Sequence, residues 1–205
     1  MELLRSEVIN SQKFEIGDNI EFFLNTGEKM RATAVLDTVE GMLFLSDDCL
    51  TTKYIMDEYH GKFIDYEHSD LNEWLNSIYI SFKDDIKDKM VPFPITQTQY
   101  DNKVMVRIPT EYEIFGSNYY GEREDEYVRQ FEGMDQRKNR IAFYGLNSDE
   151  NAYWWTQTPN IKHAKYDPIE TYCAVSTSGR RSSLDIRGRN GVRFVFCLSY
   201  PTSNN

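Results

Sequence analysis

Tyr153-Trp154-Trp155-Thr156-Gln157-Thr158-Pro159 opens the stretch that decides the fold. A polar run follows, and then Tyr172-Cys173-Ala174-Val175-Ser176-Thr177-Ser178-Gly179. A second polar run carries Arg180, Arg181, Arg187 and Arg189 before the chain closes on Gly191-Val192-Arg193-Phe194-Val195-Phe196-Cys197-Leu198. Three short apolar, aromatic or β-branched segments thus frame two polar segments without periodicity. Such a pattern predicts strands that hold up loops, and binding residues concentrate on loops carried by a rigid scaffold.

The charge of the chain is uneven around this stretch. Residues 151–205 hold seven Lys/Arg and three Asp/Glu, a net of +4, within a chain of net charge −10. Residues 1–150 therefore carry −14. An acidic body with a basic final quarter argues against general nucleic-acid binding, which needs a broad positive field. It leaves room for an anionic partner at the final quarter. The 205 residues, 40% of them hydrophobic, suffice for one good core. No domain boundary, repeat or low-complexity linker is evident, so 1–205 reads as a single domain, with 1–13 and 199–205 as flexible termini.

Cys49, Cys173 and Cys197 show no CxxC spacing, and His60, His68 and His163 form no ligand motif. These residues predict free thiols in a reducing compartment, with no metal or cofactor. Residues 1–7 have no apolar leader region, and no run approaches membrane-spanning length. The expected location is the cytoplasm or a particle assembled there.

Residues 14–46 predict a β-meander. Ile20, Phe22 and Leu24 alternate, Asn25-Thr26-Gly27 turns, Met30, Ala32, Ala34 and Leu36 alternate again, and Glu40-Gly41 turns into Met42-Leu43-Phe44-Leu45. Asp47-Asp48 beyond it resembles a metal pair only superficially, because adjacent strand residues face opposite sides. Leu71, Trp74, Leu75, Ile78, Tyr79 and Phe82 recur at helical spacing over residues 69–90, with Ser69 as N-cap and a second short helix from Asp84 to Met90. Thr110 and Glu113 form a capping box, with Gly116 ending the short helix. That role accounts for Glu113 without acid–base catalysis. Residues 117–152 read as a charged, exposed excursion with a short helix near residues 125–131.

Arg107-Ile108-Pro109-Thr110-Glu111-Tyr112-Glu113 resembles the R-L-P-T-E-x-E signature of formylglycine-generating-enzyme-like proteins. Gly191-Val192-Arg193-Phe194-Val195 resembles their closing G-F-R-V strand. The chain is more similar to a bacterial and phage family of unknown function with a C-type-lectin-like fold. That family runs W-W-L-R-S-P, then a V-N-S-x-G turn, then G-V-R-P-A-x-C. Here these stand as Trp154-Trp155-Thr156-Gln157-Thr158-Pro159, Val175-Ser176-Thr177-Ser178-Gly179 and Gly191-Val192-Arg193-Phe194-Val195-Phe196-Cys197. Upstream, Ile16-Gly17-Asp18, Ser46-Asp47-Asp48 and Ser69-Asp70-Leu71 with Trp74-Leu75-Asn76 keep the family's order. The resemblance implies an α+β domain of C-type-lectin-like fold, with small antiparallel β-sheets and two packed helices.

The departures bear on activity. The copper-dependent oxidases of the wider group need a close cysteine pair, whereas Cys173 and Cys197 lie in separate strand-like segments. Thr158-Pro159-Asn160 has the Pro-Asn of calcium-dependent lectins but lacks their acid. What the resemblance implies instead is display, since some relatives use their final strands and loops as the variable surface of retroelement-diversified proteins.

The expected function is thus a non-enzymatic, phage-associated module that recognises a protein or glycan through C-terminal loops, residues 156–172 and 179–190. Asn160, His163, Tyr166, Arg180, Arg181, Arg187 and Arg189 are the expected contacts, because Arg and Tyr dominate binding hot spots. The competing reading is that these are ordinary solvated loops. Trp154 and Trp155 point to opposite sides of an extended segment, one into the core and the other under a loop or flooring the site. Arg193 is expected in a buried ion pair with a carboxylate. Replacing Arg181 and Arg187 is expected to leave stability unchanged, unlike Arg193. The alternative function is an acidic phage inhibitor that mimics nucleic acid and occupies a basic groove on a host defence protein.

Overall fold

Alternation in the first segment becomes an antiparallel meander: β1 (Asn19–Phe23), β2 (Lys29–Asp37) and β3 (Met42–Ser46). The computed structural model describes residues 13–58, 65–79, 82–123, 126–162 and 170–200. Along β1 the even positions, Ile20 and Phe22, are buried and the odd ones exposed. In β3 all five residues are buried, because both faces of the strand are covered. Met42 and Phe44 enter one apolar layer, whereas Leu43 and Leu45 enter the other.

Ser69 caps α1 (Asp70–Tyr79) as expected: its hydroxyl accepts from the Asn72 amide at 3.2 Å and donates to the Tyr66 carbonyl at 2.8 Å. Leu71 and Leu75 are buried on the inner face, and Trp74 stacks on Tyr54 with ring centroids 4.3 Å apart. A short α2 (Asp84–Lys87) follows, then β4 (Phe93–Pro94), β5 (Lys103–Val104), β6 (Val106–Arg107) and α3 (Glu111–Phe115). The final quarter supplies β7 (Trp154–Pro159), β8 (Thr171–Val175), β9 (Arg181–Asp185) and β10 (Val195–Leu198).

The main sheet has the order β1-β2-β3-β10-β6, with every pair antiparallel. The first and last strands thus share one sheet, as the sequence predicts. β4 pairs with β5, and β7-β8-β9 form a separate antiparallel sheet. The class is α+β, with small antiparallel sheets and the helices α1, α2 and α3. On one face of the main sheet, Phe22, Phe44, Phe82, Phe194 and Phe196 form an aromatic cluster with centroids 5.4–6.4 Å apart. On the other face lie Leu43, Leu45, Val195 and Cys197, with Phe131, Ile114 and Trp154 against them. Burying each large side chain contributes about 1.5–3 kcal/mol.

Several expectations change. The adjacent tryptophans do point to opposite sides, but each fills a core: Trp155 joins the aromatic layer and Trp154 the opposite one. Neither floors a site. Residues 126–131 form no helix, because their backbone is spent on neighbours. The Phe131 amide donates to the Glu113 carbonyl at 2.8 Å, and the Glu132 amide to the Val35 carbonyl at 3.0 Å. Residues 156–159 and 181–185, expected in loops, belong to strands β7 and β9. β9 is an edge strand, half-buried over most of its length, so it pairs through its backbone without an apolar pattern. Of the expected flexible termini, residues 1–12 and 201–205 lie outside the described residues. Ser199 is tied to the Lys89 carbonyl at 2.9 Å, and the Tyr200 hydroxyl bonds Asp37.

Gly191 marks the closest approach between β7 and the start of the closing segment. A methyl group there would lie 2.6 Å from Cys49 Sγ and 2.9 Å from the Tyr153 carbonyl oxygen. Gly191→Ala is therefore expected to destabilise the protein by about 1–3 kcal/mol. Urea unfolding monitored by tryptophan fluorescence measures it; an unchanged midpoint would refute the close packing.

Candidate functional site

The segment before β7 is built on two buried carboxylates. Glu113 is fully buried and pairs bidentately with buried Arg107: Nη1 to Oε2 at 2.7 Å and Nη2 to Oε1 at 2.6 Å. The capping box is present, with Thr110 Oγ1 accepting from the Glu113 amide and Glu113 Oε2 accepting from the Thr110 amide. Gln97 Nε2 donates to Glu113 Oε1 at 3.1 Å, so both carboxylate oxygens are fully committed. This carboxylate has no free face for acid–base work.

Glu111, two residues earlier, is also fully buried. Its carboxylate accepts from the backbone amides of Tyr119, Tyr120 and Gly121 at 2.9–3.3 Å. Arg181 Nε lies 2.7 Å from its Oε1 as a close ion pair without hydrogen-bond alignment. Arg181 Nη2 also donates to the Ser117 carbonyl at 2.7 Å, and its guanidinium stacks 4.4 Å from the Phe115 ring centroid. Glu111 therefore folds residues 117–121 back over α3 and fastens them to β9. The amide of Glu111 in turn donates to Thr158 Oγ1 at 2.8 Å, which docks α3 on β7.

This arrangement creates an open cleft of 460 Å³ at the far end of β7. One wall is Thr96, Thr98 and Gln99; the other comes from Asn118, Gly121 and Glu122. Gln157, Thr158 and Pro159 form part of the lining, with Asp65 and Glu67 at the margin. The lining mixes hydroxyls, amides and carboxylates with apolar side chains such as Ile95 and Ile161; hydroxyls and amides both donate and accept, whereas carboxylates only accept. Beside it, Lys162 Nζ sits 2.9 Å above the exposed Tyr119 ring.

The expected contact residues do not form one face. Asn160 is buried at the end of β7, with Nδ2 donating to Ser183 Oγ at 3.0 Å and Oδ1 accepting from the Lys162 amide at 3.2 Å. His163 and Tyr166 lie outside the described residues. Arg187 is exposed at the same end of the sheet and makes a two-point pair with Asp185, whose carboxyl it holds below the usual range. Arg189 is exposed in the next turn. Arg180 and Arg181 lie at the opposite end of β9, roughly 13 Å away for a five-residue strand. Arg181 is consumed by Glu111 and is not a free contact.

Arg193 is buried as expected, but its partners differ. Nε donates to the Ser46 carbonyl at 2.7 Å, Nη1 donates to the Asn139 carbonyl at 3.2 Å, and the guanidinium lies 4.9 Å from the Trp154 ring centroid. Two carbonyls and an indole face replace the expected carboxylate, since Asp47 turns to Arg31 and Thr33. Cys49, Cys173 and Cys197 are free and buried. Burial pushes the Cys49 and Cys173 thiols well up and that of Cys197 up to about 12, so none is an activated nucleophile. Among the described residues no three His, Cys, Asp or Glu side chains form a metal-binding group. The cleft residues near 96–99 and 118–122 carried no signal in the sequence, because separate tertiary contacts bring them to β7: Glu111 holds residues 119–121, and Gln157 Nε2 donates to the Ile95 carbonyl at 2.8 Å.

A family model described as a domain of unknown function (DUF6273) matches residues 40–200. No curated relative and no solved structure matches the chain. The matched span begins after β2 and contains the cleft residues, both buried carboxylates and the whole β7-β8-β9 sheet.

The two exposed-looking arginines should separate in experiment. Arg181→Ala is expected to cost about 3 kcal/mol, because it strips the side-chain counter-ion from a fully buried carboxylate. Arg187→Ala, on the surface, should stay within about 0.5 kcal/mol of the parent. Thermal melts of the two variants check this, and equal effects would contradict the anchoring role of Glu111.

Proposed function

The chain belongs to the DUF6273 family, and we propose that it is a non-enzymatic binding module of C-type-lectin-like fold. The cleft beside the end of β7 is its recognition surface, and its ligand is a polar protein segment or a glycan. The observation that carries this reading is the lining of that cleft, where hydroxyl, amide and carboxylate groups converge from several separate segments of chain. A polyhydroxylated ligand needs donors and acceptors of this kind at fixed positions. The two carboxylates nearest to a catalytic arrangement are instead committed to structure: Glu113 holds α3 to the main sheet, and Glu111 holds the cleft wall in place. Shared placement of the first and last strands in one sheet, a small second sheet bearing the loops, and the helices α1 and α2 support the lectin-like assignment. Phage association, with a place in the cytoplasm or on a virion, rests on the resemblance of the motifs around Trp154, Gly179 and Arg193.

Thr98 is exposed on the cleft wall, so filling the cleft from there does not disturb the core. The protein is screened against immobilised glycans and candidate surface proteins, and each ligand found is retested with Thr98→Trp. Loss of binding with stability held within about 0.5 kcal/mol is the expected result. Unchanged binding in that variant, with capture of a basic host protein that weakens steeply with salt, would replace this reading with the acidic-inhibitor one.

A further inference from the structure

A second surface lies at the other end of the three-stranded sheet. The β8–β9 turn, residues 176–180, is clamped onto the 3-10 turn Arg137–Arg140. Arg137 Nε donates to the Ser178 carbonyl at 2.6 Å, and Arg140 Nε to the Gly179 carbonyl at 3.0 Å. Gly179 has φ +72°, and a methyl group there would meet the Arg137 carbonyl oxygen at 2.5 Å, so the two turns are in direct backbone contact. This brings together Arg137, Lys138, Arg140, Arg180 and Arg181, residues from two distant parts of the chain.

The charges of this group are not balanced. Arg137 and Arg140 spend their bonds on carbonyl oxygens, which fix the guanidiniums without neutralising them. Among the described residues, Glu111 is the carboxylate paired with any of the five, and it is buried against Arg181. Burial first, and then the neighbouring Arg181 and Arg137, push the Arg140 pKa down, against the nearby Asp135 carboxylate, which raises it. Arg137, Lys138 and Arg180 remain exposed. On a chain of net charge −10, the two clamped turns thus carry exposed positive charge, with Arg137 and Arg140 held in place.

We propose that this clamped pair of turns docks a short acidic peptide segment of a protein partner. Preformed guanidiniums lose little freedom on binding carboxylates, and charge-assisted hydrogen bonds are the strong ones. A long polyanion fits less well. A nucleic acid neutralising several phosphates would extend beyond this end of the sheet into the field of residues 1–150, which carry −14. The surface is separate from the β7 cleft, so its failure would leave the cleft reading standing.

The test uses fluorescence anisotropy with a labelled oligoglutamate peptide and, in a second arm, a DNA duplex, both at low and physiological salt. The peptide is expected to bind and to weaken as salt rises. Lys138→Glu combined with Arg180→Glu should weaken it by about tenfold or more, whereas Lys103→Glu, on β5, leaves it unchanged. If the charge-reversed protein does not fold, Lys138→Ala with Arg180→Ala decides by the same criterion. Absence of peptide binding, wild-type affinity in the folded double variant, or tighter binding of the duplex than of the peptide each overturns the proposal.

Discussion

The bidentate pair of Arg107 and Glu113 is the constraint on which the site depends. Both partners are almost wholly removed from water, so each loses several kcal/mol of hydration that only good geometry restores. The geometry is complete. Arg107 also donates to the Pro94 and Ile108 carbonyls and lies 5.3 Å from the Phe93 ring centroid, while Glu113 accepts from Gln97 and the Thr110 amide. One ion pair thereby joins β4, β6, the start of α3 and the 97 segment. Since Arg107 lies in β6, paired to β10, the pair also fixes α3 relative to the main sheet. Removing either member would leave a buried charge without a counter-ion, whereas replacing both by apolar groups of similar shape is a milder change.

Glu111 extends this logic from fold to site. Its burial leaves no room for an unsatisfied carboxylate oxygen, and it is satisfied by three successive backbone amides and one guanidinium. The chain at 117–121 consequently wraps around the carboxylate and becomes one wall of the cleft. Two acids in one five-residue helix thus divide the work: Glu113 holds the helix to the sheet, and Glu111 holds a loop to the helix. Tyr112 lies between them and is half-buried.

What the sequence revealed follows the range of each interaction. The meander, the α1 stripe and the Thr110 cap rest on spacings of two, three or four residues. The meander and the cap are found in the structure, and the helix of the stripe as far as Tyr79, while Phe82 lies beyond it in a bridge to Leu24. Opposite facing of Trp154 and Trp155 follows from one residue of extended backbone, although that rule could not say that both sides are core. By contrast, Arg181 and Glu111 are 70 positions apart, and Arg193 finds its carbonyls 54 and 147 positions away. Pairings of that range leave no local pattern, so Arg181 reads as a surface arginine and Arg193 as the partner of an unnamed acid. Strand β9, with Ser182, Ser183 and Asp185 among its five residues, hides for a related reason: an edge strand is defined by its backbone partner.

The arginines of the final quarter show why composition alone misplaces a binding face. A net of +4 over residues 151–205 makes that whole region look cationic. In the structure, Arg187 is turned back on Asp185, Arg181 on Glu111, and Arg193 on carbonyls within the core. The positive surface that remains around Arg180 is completed by Arg137, Lys138 and Arg140, from a segment whose composition is mixed. A charge contributes to the outer field only in so far as no opposite charge lies within a few ångströms of it. Carbonyl partners orient a guanidinium while leaving its charge uncancelled, and carboxylate partners cancel it. Which of the two an arginine finds, rather than how many arginines a segment contains, decides where this acidic chain is positive.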